Sequence, residues 1–170
     1  MSTVVAVNIY THTNNVTYVT DQLLLSLKNI IIWIGLDPNK FIDKWRSTDL
    51  AVNTWLASRD LLGAVLEIYD SKTDALVCRW DFTIDYSYGS KDDGSMWIDT
   101  DAIRFAILKC GILPSSCNYR IVLETKPGRS NVPGWGPTAY RSTEGLVRQC
   151  VGTTIGTHTI GARAGYWRKN

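Results

Sequence analysis

The sequence predicts an α+β domain in which three helices pack on a mainly antiparallel sheet. Apolar residues recur at helical spacing in three stretches, and they alternate with polar residues in several others. The predicted order is a strand, two helices, a hairpin, a third helix and a strand, followed by a segment rich in glycine. The 170 residues fit a single domain, 1–170, with a core (1–125) and a C-terminal segment (126–170).

The first half of the core supplies one strand and two helices. "TVVAVNIY" (Thr3–Tyr10) is β-branched and predicts a strand, and "THTNN" after it predicts a turn. Apolar residues from Val16 to Ile34 cover a wide helical face, so this helix should be the most buried one. Asp37 is a predicted N-cap, with Pro38 at the first position of a second helix that reaches about Ser58.

The second half of the core supplies the sheet. Alternation predicts a hairpin of Ala64–Asp70 and Ala75–Tyr88, with Asp81 and Asp85 on a solvated face. A short strand at Met96–Ile98, a third helix at Ala102–Cys110 capped by Thr100 or Asp101, and a strand at Tyr119–Thr125 follow.

The charge distribution leaves two interpretations open. Residues 126–170 hold seven basic residues and one acid (+6), so the overall +2 leaves −4 for residues 1–125. Either a basic tail lies on an acidic body, or the segment forms a basic surface for nucleic acid or an acidic partner. The nucleic-acid interpretation uses Arg141, Arg148, Arg163, Trp167, Arg168 and Lys169.

The composition favours a cytoplasmic protein without cofactor or metal. The four cysteines form no C-x-x-C pair and only two histidines occur, so a structural zinc site is not expected. The N-terminus lacks a secretory pattern, and the longest apolar run, Ile30–Ile34, is too short to span a bilayer. Reduced and buried thiols are expected. His12 and His158 lie in polar segments and are interpreted as solvated or capping residues.

One pattern invites a catalytic interpretation. Gly89-Ser90 followed by Asp99 and Asp101 resembles the metal-binding pattern of polymerase-beta-type nucleotidyltransferases. However, the two acids open an amphipathic helix rather than alternating along a strand, so helix capping is the favoured interpretation. The sequence therefore favours a protein that is not an enzyme.

The stretch "KPGRSNVPGWGPTAYRSTEG" (Lys126–Gly145) combines glycines and prolines with Trp135 and Tyr140. With it, the blocks "AVNIYTHT…VTYVTDQLL", "GLDPNKF", "LEIYD", "RWDFTIDYSY", "DDGSMWIDTDAIRFAI", "GLVRQCVGTTIG" and "YWRK" resemble bacterial HORMA-domain proteins. The resemblance is to the smaller, first bacterial family, encoded beside cGAS/DncV-like nucleotidyltransferases in CBASS anti-phage operons. It covers essentially the whole chain.

This resemblance implies a peptide-binding conformational switch with a C-terminal safety belt. The belt would wrap a short closure-motif peptide that adds a strand to the sheet. The closed form would bind the nucleotidyltransferase (a CD-NTase) and license synthesis of a second messenger, and a Trip-type AAA+ ATPase would reset the switch. Only Met1 and Ser2 precede the first predicted strand, so either this strand frays to serve as the ATPase's handle or remodelling is poor.

The resemblance also implies a location for the peptide groove, between the strand Tyr119–Thr125, the central helix and the belt. The expected contributors to the groove and its belt are Ile121, Leu123, Trp135, Tyr140 and Leu146. The expected hinge residues of the belt are Gly134, Gly136 and Pro137.

Overall fold

The structure, a computed structural model, describes residues 12–87, 96–111 and 113–169. The helices are α1 (His12–Trp33), α2 (Asn39–Asp43), α3 (Trp45–Ala57) and α4 (Thr100–Cys110). The strands are β1 (Leu61–Asp70), β2 (Leu76–Asp85), β3 (Trp97–Ile98), β4 (Cys117–Thr125), β5 (Leu146–Gly156) and β6 (Gly161–Lys169).

The strands form one sheet in the order β3-β5-β6-β2-β1-β4, with every described pairing antiparallel. The first hairpin, β1–β2, occupies the middle of the sheet. The second hairpin, β5–β6, joins it through β6 and β2. Strand β4 pairs with β1 and forms one edge of the sheet. The predicted α+β class and the mainly antiparallel sheet are confirmed.

The core lies between the helices and one face of the sheet. Helix α1 contributes a row of fully buried residues from Val19 to Ile31. They pack with inward-facing Leu66, Trp80 and Phe82 of the central strands. The opposite face of the sheet, called here the outer face, carries residues of the other parity, including Glu67 and Arg79. The predicted central and most buried helix is confirmed.

The helices differ from the prediction at two boundaries. Helix α1 begins at His12, so the predicted turn at "THTNN" is wrong. His12 Nε2 lies 2.9 Å from the carbonyl oxygen of Ala57, and this contact ties the start of α1 to the end of α3. The predicted second helix is divided at Lys44 into α2 and α3.

The structure bears on some of the remaining predictions and not on others. The strand predicted at Thr3–Tyr10 lies outside the described residues, as do Gly89 and Ser90. The four cysteines are free, but only Cys78 is buried as expected, whereas Cys110 and Cys117 are half-buried and Cys150 is exposed. No helix in the described ranges is both long and apolar enough to cross a membrane.

Candidate functional site

The outward side of edge strand β4 carries main-chain groups that have no partner in the described part of the chain. The amide of Tyr119 donates to Asn118 Oδ1 at 2.8 Å, and its carbonyl accepts from Lys40 Nζ at 2.7 Å, so both groups face away from β1. Main-chain direction alternates along an antiparallel strand, so the N–H and C=O groups of Ile121 and Leu123 face the same way. Within residues 12–87, 96–111 and 113–169 no hydrogen-bond partner is found for them.

The crossing segment, residues 126–145, first runs along helix α3. Trp55 Nε1 donates to the carbonyl of Ser130 at 2.9 Å. Trp135 Nε1 lies 3.2 Å from the carbonyl of Ser47 and 3.1 Å from its hydroxyl. The rings of Trp55 and Trp135 meet edge to face with 6.3 Å between their centroids. These contacts hold the first half of the crossing segment on the helical side of β4.

The crossing segment then passes around the edge of β4 to the outer face. Arg120 on that face donates to the Thr138 hydroxyl at 3.0 Å and to the Ala139 carbonyl. Two residues further on, the main-chain N–H of Arg141 donates to Glu67 Oε2 at 2.8 Å. The segment therefore encloses the open edge of β4 between Trp135 on one side and Arg141 on the other.

A carboxylate on β1 anchors the second half of the crossing segment. The Glu67 side chain is fully buried and accepts from Arg120 Nε at 2.6 Å and from an Arg141 guanidinium nitrogen at 2.9 Å. Arg141 also binds Asp74 at 2.8 Å, and this hydrogen bond is the main reason why the pKa of Asp74 is lowered. A buried carboxylate with two cationic partners is stable only while both remain in place, so Glu67 couples the outer face to the position of the crossing segment.

Two cavities border the enclosed edge, and together they are called here the edge groove. The larger cavity, about 410 Å³, lies on the helical side. The smaller, about 220 Å³, lies on the outer side. The larger one combines apolar Phe41, Ile121, Leu123 and Trp135 with the polar chains of Lys40 and Lys44. An apolar trough beside unpaired main-chain groups suits an extended chain, which would bind through backbone hydrogen bonds and alternate side chains.

The structure brings most of the expected groove residues together. Ile121, Leu123 and Trp135 line the larger cavity, and Tyr140 lines the smaller one. Burial, followed by the nearby Glu124 carboxylate, raises the pKa of Tyr140 to about 12. Leu146 lies apart from both cavities, at the start of β5, where it pairs with Lys169.

The three expected hinge residues all line the edge groove. Gly134 borders the larger cavity, Gly136 borders both, and Pro137 borders the smaller. Gly134 has φ +87°, a backbone conformation that side chains disfavour, whereas Gly136 has no such φ.

The charged residues of the site were not among those predicted from the sequence. Glu67 lies on a strand whose other members are mostly buried, and a lone acid in such a strand is a signal for a paired carboxylate. The partners of Glu67 are far from it in sequence, so spacing could not reveal them. Lys40 follows the predicted cap of the second helix and gave no signal of its contact with β4.

Some of the basic residues in the nucleic-acid interpretation form ion pairs with carboxylates of the same chain. Arg148, Arg163 and Trp167 border a third cavity of about 500 Å³ on the outer face, together with Asp81 and Glu124. Arg148 binds Asp81 at 2.8 Å, and Trp167 Nε1 donates to the same carboxylate at 3.0 Å.

Asp81 is therefore buried, and its predicted place on a solvated face is wrong. Strand β6 pairs with this part of β2 and supplies Trp167. These contacts, with those of Arg141 to Glu67 and Asp74, match a basic segment lying on an acidic body.

The acids of the catalytic interpretation have a structural role. Asp99 caps helix α4, accepting a hydrogen bond from the Ala102 N–H at 3.0 Å, and Asp101 lies exposed in the first turn. The described part of the chain contains no cluster of three or more potential metal-ligating side chains.

A central antiparallel sheet, helices on one face, and a C-terminal segment enclosing the free edge define a HORMA domain. The model of the family described as bacterial HORMA domain 2 matches residues 2–170. The chain therefore belongs to the bacterial HORMA domain 2 family. The resemblance to bacterial HORMA proteins is confirmed, but the matching family is not the first bacterial family that the sequence analysis named.

Several solved structures share the fold. A chain in the crystal structure of the mitotic checkpoint complex is 11% identical, with a TM-score of 0.74 over 96% of this chain and 99% of that one. A chain in the E. coli MS115-1 HORMA:CdnC:Trip13 complex is 10% identical, with a TM-score of 0.62 over 100% and 97%. C. elegans HTP-2, bound to the HIM-3 closure motif, is 12% identical, with a TM-score of 0.55 over 73% and 66%. No curated protein matches the sequence significantly.

Proposed function

We propose that the chain is a peptide-binding switch whose belt, residues 126–170, closes over an extended peptide at the edge of β4. The observation that carries this proposal is the enclosed edge. No described residue bonds to the outward main-chain groups of Ile121 and Leu123, which lie inside a loop of chain fixed at Trp135 and Arg141. A strand added there gains main-chain hydrogen bonds, and the belt prevents its escape.

The peptide-bound form binds and activates a cGAS/DncV-like nucleotidyltransferase in anti-phage second-messenger signalling, and a Trip-type AAA+ ATPase resets the belt. The likeness to the E. coli complex with CdnC and Trip13 supports these partners, and the C. elegans structures with closure motifs support peptide recognition. The protein acts in the cytoplasm as a regulatory protein rather than as an enzyme.

The decisive experiment measures nucleotide synthesis by a cGAS/DncV-like nucleotidyltransferase from the same genome as this chain. Ile121→Pro removes one outward N–H without touching the ladder to β1, and edge strands tolerate proline at such positions. We expect Ile121→Pro to fold but to lose peptide binding and activation, while Ile121→Val keeps both. Full activation by the folded proline variant, or no complex between the wild-type chain and the enzyme at micromolar concentrations, would refute the proposal.

A further inference from the structure

Lys40 places an ammonium group at one end of the edge groove, where no carboxylate of the described residues pairs with it. Its Nζ donates to Asn118 Oδ1 at 3.0 Å and to the Tyr119 carbonyl at 2.7 Å, both neutral oxygens. The ion pairs found among the described residues involve neither Lys40 nor Lys44. The pKa of Lys40 is lowered, first by burial and then by the charges of Lys44 and Arg141. The hydrogen-bond partners of the Lys40 ammonium in the described part of the chain are neutral oxygens and not carboxylates.

The same contacts set where an added strand must stop. Both main-chain groups of Tyr119 are occupied, by Asn118 and Lys40, so pairing with β4 can use Ile121 and Leu123 but cannot continue past Tyr119. One end of a bound strand therefore lies beside Lys40. Asp37 and Asp43 also lie near this end and act on the Tyr119 hydroxyl, and Arg120, which is paired with Glu67, lines the same cavity.

The rest of the groove combines apolar side chains on its helical side with the hydroxyl groups of Ser47, Thr48 and Thr138. Phe41, Ile121, Leu123 and Trp135 line it. In a paired strand every second side chain points to this side, so two apolar residues in alternation would fill the trough.

We infer that the edge groove selects an extended segment of another protein with alternating apolar side chains and a carboxylate at the end that meets Lys40 and Lys44. This inference rests on the proposed peptide binding and adds the chemical class of the peptide. The carboxylate is either an Asp or Glu side chain or the free C-terminus of the segment. In both cases it replaces the water around the ammonium groups with a charge-assisted hydrogen bond.

Fluorescence anisotropy with labelled seven-residue peptides tests the inference. The peptides carry leucine at alternate positions, a C-terminal amide, and Glu, Gln or Lys at either end. An added set with a free C-terminus distinguishes the two sources of the carboxylate. We expect one acidic peptide to bind about tenfold more tightly than its Gln counterpart. Lys40→Met should remove that preference, so that the acidic and Gln peptides bind with similar affinity, whereas Lys72→Met, in the exposed β1–β2 turn, should leave the preference unchanged.

The outcomes separate this inference from the function on which it rests. Equal affinity of the acidic, neutral and basic peptides would overturn the inference while leaving peptide binding intact. Binding of none of them at high micromolar concentration, with the chain monomeric by light scattering, would overturn peptide binding as well. A dimer that loses its association in Ile121→Pro would identify a second copy of the chain as the occupant and would also overturn the inference. Preference of Lys40→Glu for the Lys peptide would support it.

Discussion

Arg141 binds Glu67 with both its main chain and its side chain, through an N–H···Oε2 bond of 2.8 Å and a guanidinium contact of 2.9 Å. The carboxylate belongs to a central strand and is fully buried, whereas Arg141 belongs to the crossing segment. Movement of the segment would break both contacts at once. A change in the position of the belt would therefore change how many positive groups contact the buried Glu67 carboxylate.

Glu67→Gln should loosen the crossing segment. Glutamine keeps the shape but removes the charge that holds Arg120 and Arg141, so the free energy of unfolding should fall by about 2–3 kcal/mol. Hydrogen exchange in residues 126–145 should accelerate more than in β1 or β2. Urea unfolding and exchange mass spectrometry measure the two effects.

The matched control for this variant is Asp74→Asn. Asp74 is largely exposed and binds Arg141 alone, so its replacement should have a much smaller effect. Wild-type exchange in the crossing segment of Glu67→Gln would show that the carboxylate does not anchor it.

Gly134→Ala should destabilise the enclosed arrangement through the backbone. Gly134 has φ +87°, and an added Cβ would lie 3.6 Å from Ser47 Oγ, an ordinary contact, so the penalty comes from the left-handed conformation. It should cost about 1–2 kcal/mol. Gly136→Ala is the control: no positive φ and no atom within 4 Å oppose its Cβ, so stability should be unchanged or slightly higher. Equal losses in thermal unfolding of the two variants would contradict this assignment.

Trp135→Phe and Tyr140→Phe should differ although both change an aromatic residue of the crossing segment. Trp135→Phe loses the hydrogen bonds to Ser47, with an expected cost of about 1 kcal/mol. Tyr140→Phe loses a 3.5 Å contact to Glu124 and keeps the ring that lies 4.3 Å from the Arg79 guanidinium. Because the Tyr140 phenol, with a pKa of about 12, is neutral at pH 7, no charge is removed. The midpoint temperature of thermal unfolding should be lower for Trp135→Phe than for Tyr140→Phe. The reverse order would refute the distinction between the two residues.

Local sequence patterns predicted the helices and strands. They could not predict contacts between residues that lie far apart in the sequence. The alternation of β2 fixed which side chains face the helices, and Trp80 and Phe82 do so. The same alternation could not show that Asp81 would be covered by Arg148 and Trp167 of a hairpin that follows much later in the chain.

The candidate site, too, was predictable from local sequence only in part. Glycine, proline and aromatic content indicated that residues 126–145 turn and bind the body, and Trp135 does so. Parity could not say whether Ile121 and Leu123 face a groove, because that depends on β4 being the edge strand. The ionic anchor at Glu67 joins residues from three separate stretches of chain, and no local pattern carries that information.

Thiol labelling should separate Cys150 from Cys78. Cys150 is exposed, and Cys78 is buried on the helical side of β2. Burial is also the main cause that raises the pKa of Cys78 from 9.0 to about 12, so its thiolate is scarce at pH 8. A disulfide reagent added to the folded chain at pH 8 should modify Cys150 rapidly and Cys78 only on unfolding. Equal labelling rates, assigned by mass spectrometry, would show that Cys78 is accessible in the native state.

The same pKa shift predicts a loss of stability in alkali. The folded chain holds the Cys78 proton up to a pKa of about 12, and the unfolded chain releases it near 9.0. The stabilisation by the protonated, buried thiol is therefore fully present below pH 9 and declines as the pH rises towards 12. Urea unfolding at pH 8 and pH 10 measures the decline. Cys78→Ala is the comparison, because the remaining titrating groups contribute to both proteins. If the wild-type chain loses no more free energy of unfolding between these pH values than Cys78→Ala does, the buried thiol is not the cause.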